Sequence, residues 1–220
     1  KMTTFLGSKA IRSRITKVDR TRHPKPFSNE QFTGWLYQLQ DLVIETSSLV
    51  TSLQKLADML TFRCNAEIVC KEPGRVDCLS LADGLNLEAS LYVLAAGAGN
   101  AKLLQASGND SIHMQQRPLH QVMICGENLP PVFAHAVGLA WADKPRVTIT
   151  THKTRSGRPV WYLGGSLAET GVTRSEGQQI DYARREMASL FPWMDFADTE
   201  WATHRVDRAE PASLEHSRPD

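Results

Sequence analysis

The chain has 220 residues, of which 41% are hydrophobic and 22% are charged, and its formal net charge is +1. This length suits one or two globular domains with a buried core. The near-neutral charge gives no electrostatic reason to expect nucleic acid or an acidic membrane surface as a partner. The sequence also lacks an apolar run long enough to cross a bilayer and an apolar signal-peptide core near its start.

The cysteines and histidines predict neither a disulfide framework nor a metal site. The four cysteines form no CxxC pair, so we expect reduced thiols and a cytoplasmic protein. The seven histidines show neither HxxxH nor HExxH spacing, and no Cys/His cluster has zinc-site spacing. We therefore expect no metal.

The first third of the chain contains one clear helical pattern. Residues 1–30 are polar and rich in turn formers, and two strand-like stretches follow within residues 32–45. The helix is predicted over residues 47–60, where Ser47 or Ser48 can cap its start. Its apolar face is formed by leucines at steps of four, three and four residues, namely Leu49, Leu53, Leu56 and Leu60.

Turn signals divide the next segment into a β-meander. Pro-Gly at 73–74 and Asp-Gly at 83–84 separate three predicted strands, which are residues 66–71, 76–81 and 87–96. The apolar run 91–94 in the third strand predicts burial on both faces. A short helix is predicted at 100–105.

The second half predicts a mostly antiparallel sheet followed by one helix. Gly, Pro and Asp turns separate four predicted strands, which are residues 119–124, 132–137, 146–151 and 159–163. The helix is predicted over residues 176–191 and ends at Pro192. Its start fits a capping box formed either by Thr173 with Glu176 or by Ser175 with Gln178.

Gly97-Ala98-Gly99 lies between the third meander strand and a helix, as a dinucleotide-binding loop would. Lys102 occupies the third glycine position, however, and no acidic residue follows at the expected place. An NAD(P)-binding enzyme that uses Gly97 and Gly99 is therefore kept as an alternative function.

Several segments, taken in chain order, resemble the D-amino-acid-oxidase-like flavoenzymes, which include glycine oxidase, sarcosine oxidase and FAD-dependent glycerol-3-phosphate dehydrogenase. The resemblance covers residues 35–212. Its motifs are Val-Leu-Ala-Ala-Gly-Ala at 93–98, Arg-Pro-Leu-His-Gln-Val at 117–122, the strand closing in Gly-Gly at 157–165, Leu-Phe-Pro at 190–192, and Trp-Ala-Thr-His-Arg-Val-Asp-Arg at 201–208.

The resemblance implies an α/β (α+β) fold. It would combine part of a Rossmann-like FAD-binding domain, including the β-meander, with a mostly antiparallel substrate-domain sheet. Residues 1–110 would be the partial FAD-binding domain, with a substrate-domain strand region near 32–45. Residues 111–200 would be the substrate domain, and 201–220 a truncated segment returning toward the FAD domain.

The resemblance also implies roles for individual residues. Arg205 lies where the family places an arginine that grips the substrate, although Val206 replaces the proline that usually follows it. A guanidinium binds a carboxylate bidentately, but Arg205 is alternatively a surface arginine paired with Asp207 or Glu210. Arg208 is the reserve candidate. The expected FAD contacts are Ala66, Ala95, Ala96, Gly97 and Ala98.

Two further residues are candidates for the substrate side. His120 is either a partly buried histidine with satisfied hydrogen bonds or a polar group facing the flavin or a substrate hydroxyl. Tyr162 either donates a hydrogen bond to the substrate or is a core residue with a wetted hydroxyl.

The function implied by the resemblance is FAD-dependent oxidation of a small-molecule substrate, which is a small amine, amino acid or hydroxy acid, by hydride transfer to flavin, with oxygen or a quinone as electron acceptor. The family's N-terminal GxGxxG unit is absent from these residues. We therefore expect an internal fragment that binds FAD weakly or not at all, is inactive alone, and exposes apolar surface on its first helix and third meander strand. A degenerate domain without chemistry is the remaining alternative.

Overall fold

The computed structural model describes residues 15–56, 61, 65–138 and 144–211. The strands are β1 (Thr16–Lys17), β2 (Tyr37–Gln38), β3 (Ala66–Val69), β4 (Cys78–Leu81), β5 (Asn86–Leu87), β6 (Met114–Cys125), β7 (Phe133–Ala136), β8 (Val147–Lys153), β9 (Pro159–Gly164) and β10 (Glu200–Pro211). The helices are α1 (Thr46–Leu56), α2 (Asn100–Ala106), α3 (Ser166–Thr170) and α4 (Glu176–Leu190). Among these described helices, none has the length and apolar character needed to cross a membrane.

The chain divides into two units that are each discontinuous in sequence. The first contains residues 1–49 and 120–205, and the second contains residues 50–119 and 206–220. These divisions differ from the boundaries expected from the sequence, which remain a prediction about domains of the longer protein.

The first unit is built around a five-stranded sheet in the order β10-β6-β9-β8-β7. The predicted antiparallel pairing is confirmed for β6 with β9, β9 with β8, and β8 with β7. Successive side chains of a strand point to opposite faces. One face therefore forms the core with α4, through buried residues that include Val122, Ile124, Ile149, Trp161, Leu163 and Met187. The strand β10 is not predicted by the sequence pattern.

The helix α4 confirms the second of the two predicted capping boxes. The Ser175 hydroxyl accepts the Gln178 backbone N–H, and the Gln178 side chain accepts the Ser175 backbone N–H. Ala183 and Met187 lie four residues apart, as the 3.6-residue period requires, and both are buried in the core. The helix therefore begins at Glu176, as predicted, and covers the core face of the sheet.

We expect Gly165→Ala to destabilise the first unit by about 2 kcal/mol, because two constraints coincide at this residue. Gly165 has φ 74° and ψ −153°, a conformation that only glycine adopts readily. A Cβ there would also lie 2.7 Å from the Pro145 carbonyl oxygen. Urea denaturation followed by tryptophan fluorescence measures the change.

The matched control is Gly177→Ala, within α4, where an added Cβ meets nothing within 4 Å. Alanine is a better helix former, so this variant should gain about 0.5–1 kcal/mol. A destabilisation of equal size in both variants would contradict the role assigned to Gly165.

The second unit contains the predicted β-meander as a three-stranded antiparallel sheet in the order β3-β4-β5. The third strand was predicted too long, because only Asn86–Leu87 is extended against β4. Among the described residues, none pairs with 88–96, and an extended segment without ladder partners is not a strand. The run 91–94 is not buried on both faces, because Leu91 and Val93 are 76% and 77% exposed. Their exposure is what was expected for the third meander strand in a fragment of a longer protein.

The helix predicted at 47–60 is confirmed over Thr46–Leu56, and residues 57–60 lie outside the described part of the chain. Its start is capped by Glu45 rather than by a serine, since the Glu45 carboxylate accepts the Ser47 and Ser48 backbone N–H groups. Hydrogen bonds from Ser47 and Ser48 lower the pKa of Glu45 to about 2. The expected exposure of its apolar face is confirmed at Leu49, Leu53 and Leu56.

Candidate functional site

The segment predicted to contact FAD forms a short exposed turn. Gly97 has φ 55° and begins a 3-10 turn, Gly97–Gly99, that leads into α2. The Asn100 side chain holds this turn, because its Oδ1 accepts the Ala96 N–H at 2.8 Å and its Nδ2 donates to the Leu94 carbonyl at 3.0 Å. An added Cβ at Gly97 would meet nothing within 4 Å. Small exposed residues with open space beside them are compatible with close approach of a flat ligand.

The remaining predicted cofactor residues lie in the same unit. Ala95 and Ala96 are exposed in the segment before the turn, and Ala98 is half-buried within it. Ala66 opens β3 opposite Leu81 and is exposed. The structural context of the alternative NAD(P) loop is incomplete, since the segment before Gly97 is not a strand.

His120 lies in β6 on the core face of the sheet, with Val122 and Ile124. It is 1% exposed, and its Nδ1 lies 3.0 Å from the Gly171 carbonyl oxygen. Its position and partner are those of a buried histidine with a satisfied ring nitrogen, the first of the two roles considered for it.

A buried glutamine joins His120 to the segment between α3 and α4. Gln179 is 0% exposed, and its Nε2 donates to the His120 carbonyl at 2.7 Å and to the Leu167 carbonyl at 3.1 Å. Its Oε1 accepts a hydrogen bond from Arg174 Nη1 at 2.9 Å. Gly171 leaves the space for this amide, because a Cβ there would lie 2.3 Å from Gln179 Nε2. The polar atoms of Gln179 are thus satisfied inside the unit.

Arg205 extends from β10 to the same segment. Its Nη1 donates to the Val172 carbonyl at 2.8 Å, and its Nη2 donates to the Arg174 carbonyl at 2.7 Å. The side chain is nevertheless exposed, and a guanidinium has further N–H donors. Among the ion pairs of the described residues, none joins Arg205 to Asp207 or Glu210, so the pairing considered from the sequence is not observed.

Tyr162 lies on the opposite face of the five-stranded sheet, because it alternates with the buried Trp161 and Leu163 in β9. Its ring packs edge-on against His152, with centroids 4.8 Å apart. Thr150, directly opposite Tyr162 in β8, has its Oγ1 3.0 Å from His152 Nε2. All three side chains are half-buried, so this face offers a phenol, an imidazole and a hydroxyl close together.

His152 and Thr150 were not singled out from the sequence. The signal was the two-residue alternation in Val147–Lys153, where Val147 and Ile149 face the core and Thr148, Thr150 and His152 therefore share the other face. The strand itself was predicted, but the alignment of its polar residues with Tyr162 depends on the register between β8 and β9, which the pattern of one strand does not contain.

The structure therefore does not bring the three predicted catalytic residues together. His120 and Arg205 are linked through the segment 171–174 on the core side of the sheet, whereas Tyr162 lies on the opposite face. The reserve candidate, Arg208, belongs to the second unit, where its Nε lies 3.4 Å from the Arg117 carbonyl oxygen. Arg117 itself pairs with Glu210 at 2.8 Å. In the described residues, no group of His, Cys, Asp and Glu side chains is arranged to hold a metal ion.

The chain is similar over its whole length to a known protein. The chain is 44% identical over 221 aligned positions to the probable FAD-dependent oxidoreductase PA4991 of Pseudomonas aeruginosa. The alignment covers 100% of this chain and 56% of that protein, so the chain spans just over half the length of its relative. No family model matches the sequence.

The fold agrees with this similarity. The crystal structure of the FAD-dependent oxidoreductase PA4991 superposes with a TM-score of 0.79 at 41% identity, covering 93% of this chain and 56% of that one. The predicted mixed fold with a mostly antiparallel sheet is thereby confirmed. The chain is a homologue of an FAD-dependent oxidoreductase and shares that protein's fold over most of its own length.

Proposed function

We propose that this chain is part of an FAD-dependent oxidoreductase of the D-amino-acid-oxidase-like type, with a Rossmann-like FAD-binding domain and a cytoplasmic location. The observation that carries the proposal is the 44% identity along the entire chain to a probable FAD-dependent oxidoreductase. Identity at this level, together with a TM-score of 0.79, supports a common cofactor as well as a common fold.

The residues near Gly97 fit the cofactor. Ala95, Ala96 and Gly97 are small and exposed, and a ligand approaching Gly97 would not meet a side chain there. The side chain of Asn100 holds the turn by hydrogen bonds to the backbone of Ala96 and Leu94, so the backbone of the turn is ordered before a ligand binds. Bound FAD would accept hydride from the substrate carbon, which is chemistry that no side chain of this protein supplies.

We propose a small amine, amino acid or hydroxy acid as the substrate, with oxygen or a quinone as electron acceptor. Arg205 is the residue proposed to bind a substrate carboxylate. Its two hydrogen bonds to the carbonyls of Val172 and Arg174 support this role, because they fix the guanidinium before binding and lower the entropic cost of bidentate contact. Tyr162 and His120 remain proposed site residues, and Tyr162 has its hydroxyl on the half-exposed sheet face.

The protein produced from its whole reading frame should show the absorption bands of oxidised flavin, and FAD should be released by heat. Addition of the correct amine or 2-hydroxy acid should bleach these bands, because the flavin is reduced. Screening a panel of such compounds by absorption spectroscopy checks both points. A protein that stays colourless after FAD is added would contradict the assignment of FAD as the cofactor.

The 220-residue chain alone should bind FAD weakly or not at all, and should be inactive. It spans 56% of its relative, and its short α2, of seven residues, follows no strand of the kind that builds a pyrophosphate-binding loop. Quenching of flavin fluorescence on titration with the chain measures the affinity. Purification of this chain with stoichiometric, tightly held flavin would contradict the expectation.

A further inference from the structure

A depression on the surface of the first unit is lined almost entirely by charged side chains. It encloses about 340 Å³ at the start of α4, and its lining residues are Arg174, Gln178, Asp181 and Arg185. None of these side chains has been assigned a part in the proposed oxidation, in which only the backbone carbonyl of Arg174 takes part.

Both arginines of the depression are held against one aromatic ring. The guanidinium carbon of Arg174 lies 4.0 Å from the centroid of the Tyr182 ring, and that of Arg185 lies 5.8 Å from it. Arg174 is fixed further by hydrogen bonds to Gln179 Oε1 and to Thr170 Oγ1, both of which are neutral partners. The positive charge of Arg174 is therefore positioned without being neutralised.

The depression carries a net positive charge, because Arg174 and Arg185 line it together with only one carboxylate, that of Asp181. Among the ion pairs formed by the described residues, none includes Arg174 or Arg185, although other arginines of the same unit are paired with glutamates. Asp181 lines the same depression without forming such a pair.

We propose that this depression binds a phosphate group, either as inorganic phosphate or as part of a phosphorylated small molecule, between Arg174 and Arg185. A planar guanidinium presents paired N–H donors that match phosphate oxygens, and two of them at one site favour a dianion over a monoanion. The inference does not rest on flavin chemistry, so it can fail or hold independently of the proposed function.

The test is a titration of the chain with inorganic phosphate at a constant ionic strength of about 0.1 M, in which NMR spectra record the shifts of the backbone amide signals. Saturable shifts are expected for Arg174 and for the first half of α4. Titration with glycerol phosphate under the same conditions distinguishes the sources, because tighter binding than inorganic phosphate would indicate a phosphorylated small molecule as the ligand.

Adjacent arginines of α4 supply a matched control. Arg185→Gln should weaken phosphate binding about tenfold, since it removes one of the two proposed contacts. Arg184→Gln makes the same change of charge one residue earlier, where the guanidinium lies over Trp201 instead of Tyr182, and should leave binding nearly unchanged. Asp181→Asn removes the one negative charge of the depression and should tighten binding about threefold.

Two results would overturn the proposal. The first is the absence of saturable shifts in α4 up to about 20 mM phosphate. A site whose dissociation constant lies above this concentration would be too weak for two charge-assisted contacts. The second is equal weakening by Arg184→Gln and Arg185→Gln, which would show general attraction to a basic surface rather than a site at the depression.

Discussion

Gln179→Leu should lower the free energy of unfolding of the first unit by about 3 kcal/mol. Leucine is close to glutamine in volume, so the change removes hydrogen bonds without opening a large cavity. The buried carbonyls of His120 and Leu167 lose the donor that Gln179 provides, and Arg174 loses an acceptor. A buried polar group that loses its partner raises the free energy of the folded state by more than the net stabilisation that its hydrogen bond had provided. Urea denaturation followed by tryptophan fluorescence, to which the buried Trp161 contributes, measures this change.

The neighbouring glutamine is the control for this prediction. Gln178→Leu makes the identical chemical change one residue earlier, where the side chain is exposed and contributes one bond of the capping box. Its cost should be about 0.5–1 kcal/mol. If both variants lose the same stability, then Gln179 does not act as a buried hydrogen-bonding centre.

The helix α4 and the strand β8 of the first unit were predictable because local patterns and tertiary packing agree there. Ser175 and Gln178 define the start of α4 by short-range hydrogen bonds, and the alternation in β8 matches a sheet with one buried face. The apolar run 91–94 shows the opposite case. Its composition is that of a buried strand, but strand formation depends on backbone partners that a local pattern does not contain.

The sequence indicated which residues could belong to the candidate site, but not the face of the sheet on which each side chain lies. His120 and Tyr162 lie in strands of one sheet, as expected, whereas the strand β10 that carries Arg205 and joins the same sheet was not predicted. The face that each side chain occupies depends on strand register and on where the helix packs, and a shift of one residue reverses it. The hydrogen bonds from Arg205 to residues 172 and 174 also join positions more than 30 residues apart, which no local motif reveals.

Arg205→Ala in the whole flavin-containing protein should weaken the binding of a carboxylate substrate by about 2–4 kcal/mol, a loss of about 30- to 1,000-fold in affinity. The reason is that a bidentate, charge-assisted contact disappears and leaves the carboxylate unpaired. Arg205→Lys keeps the charge but not the planar fork, so it should recover only part of the affinity. Rapid mixing of the oxidised protein with the substrate found in the screen gives the dissociation constant from the concentration dependence of flavin reduction.

A second measurement separates substrate binding from a purely structural role of Arg205. The same variant loses two hydrogen bonds to the carbonyls of Val172 and Arg174, which water can partly replace because Arg205 is exposed, so the unfolding free energy should fall by only about 1 kcal/mol. Arg155→Ala, an exposed arginine in the turn between β8 and β9, is the matched control and should change neither quantity appreciably. If Arg205→Ala reduces stability but leaves substrate affinity intact, the guanidinium only fastens the segment 171–174 to β10. The carboxylate would then need another cation, and the half-exposed face around Tyr162 and His152 would become the first place to search for substrate contacts.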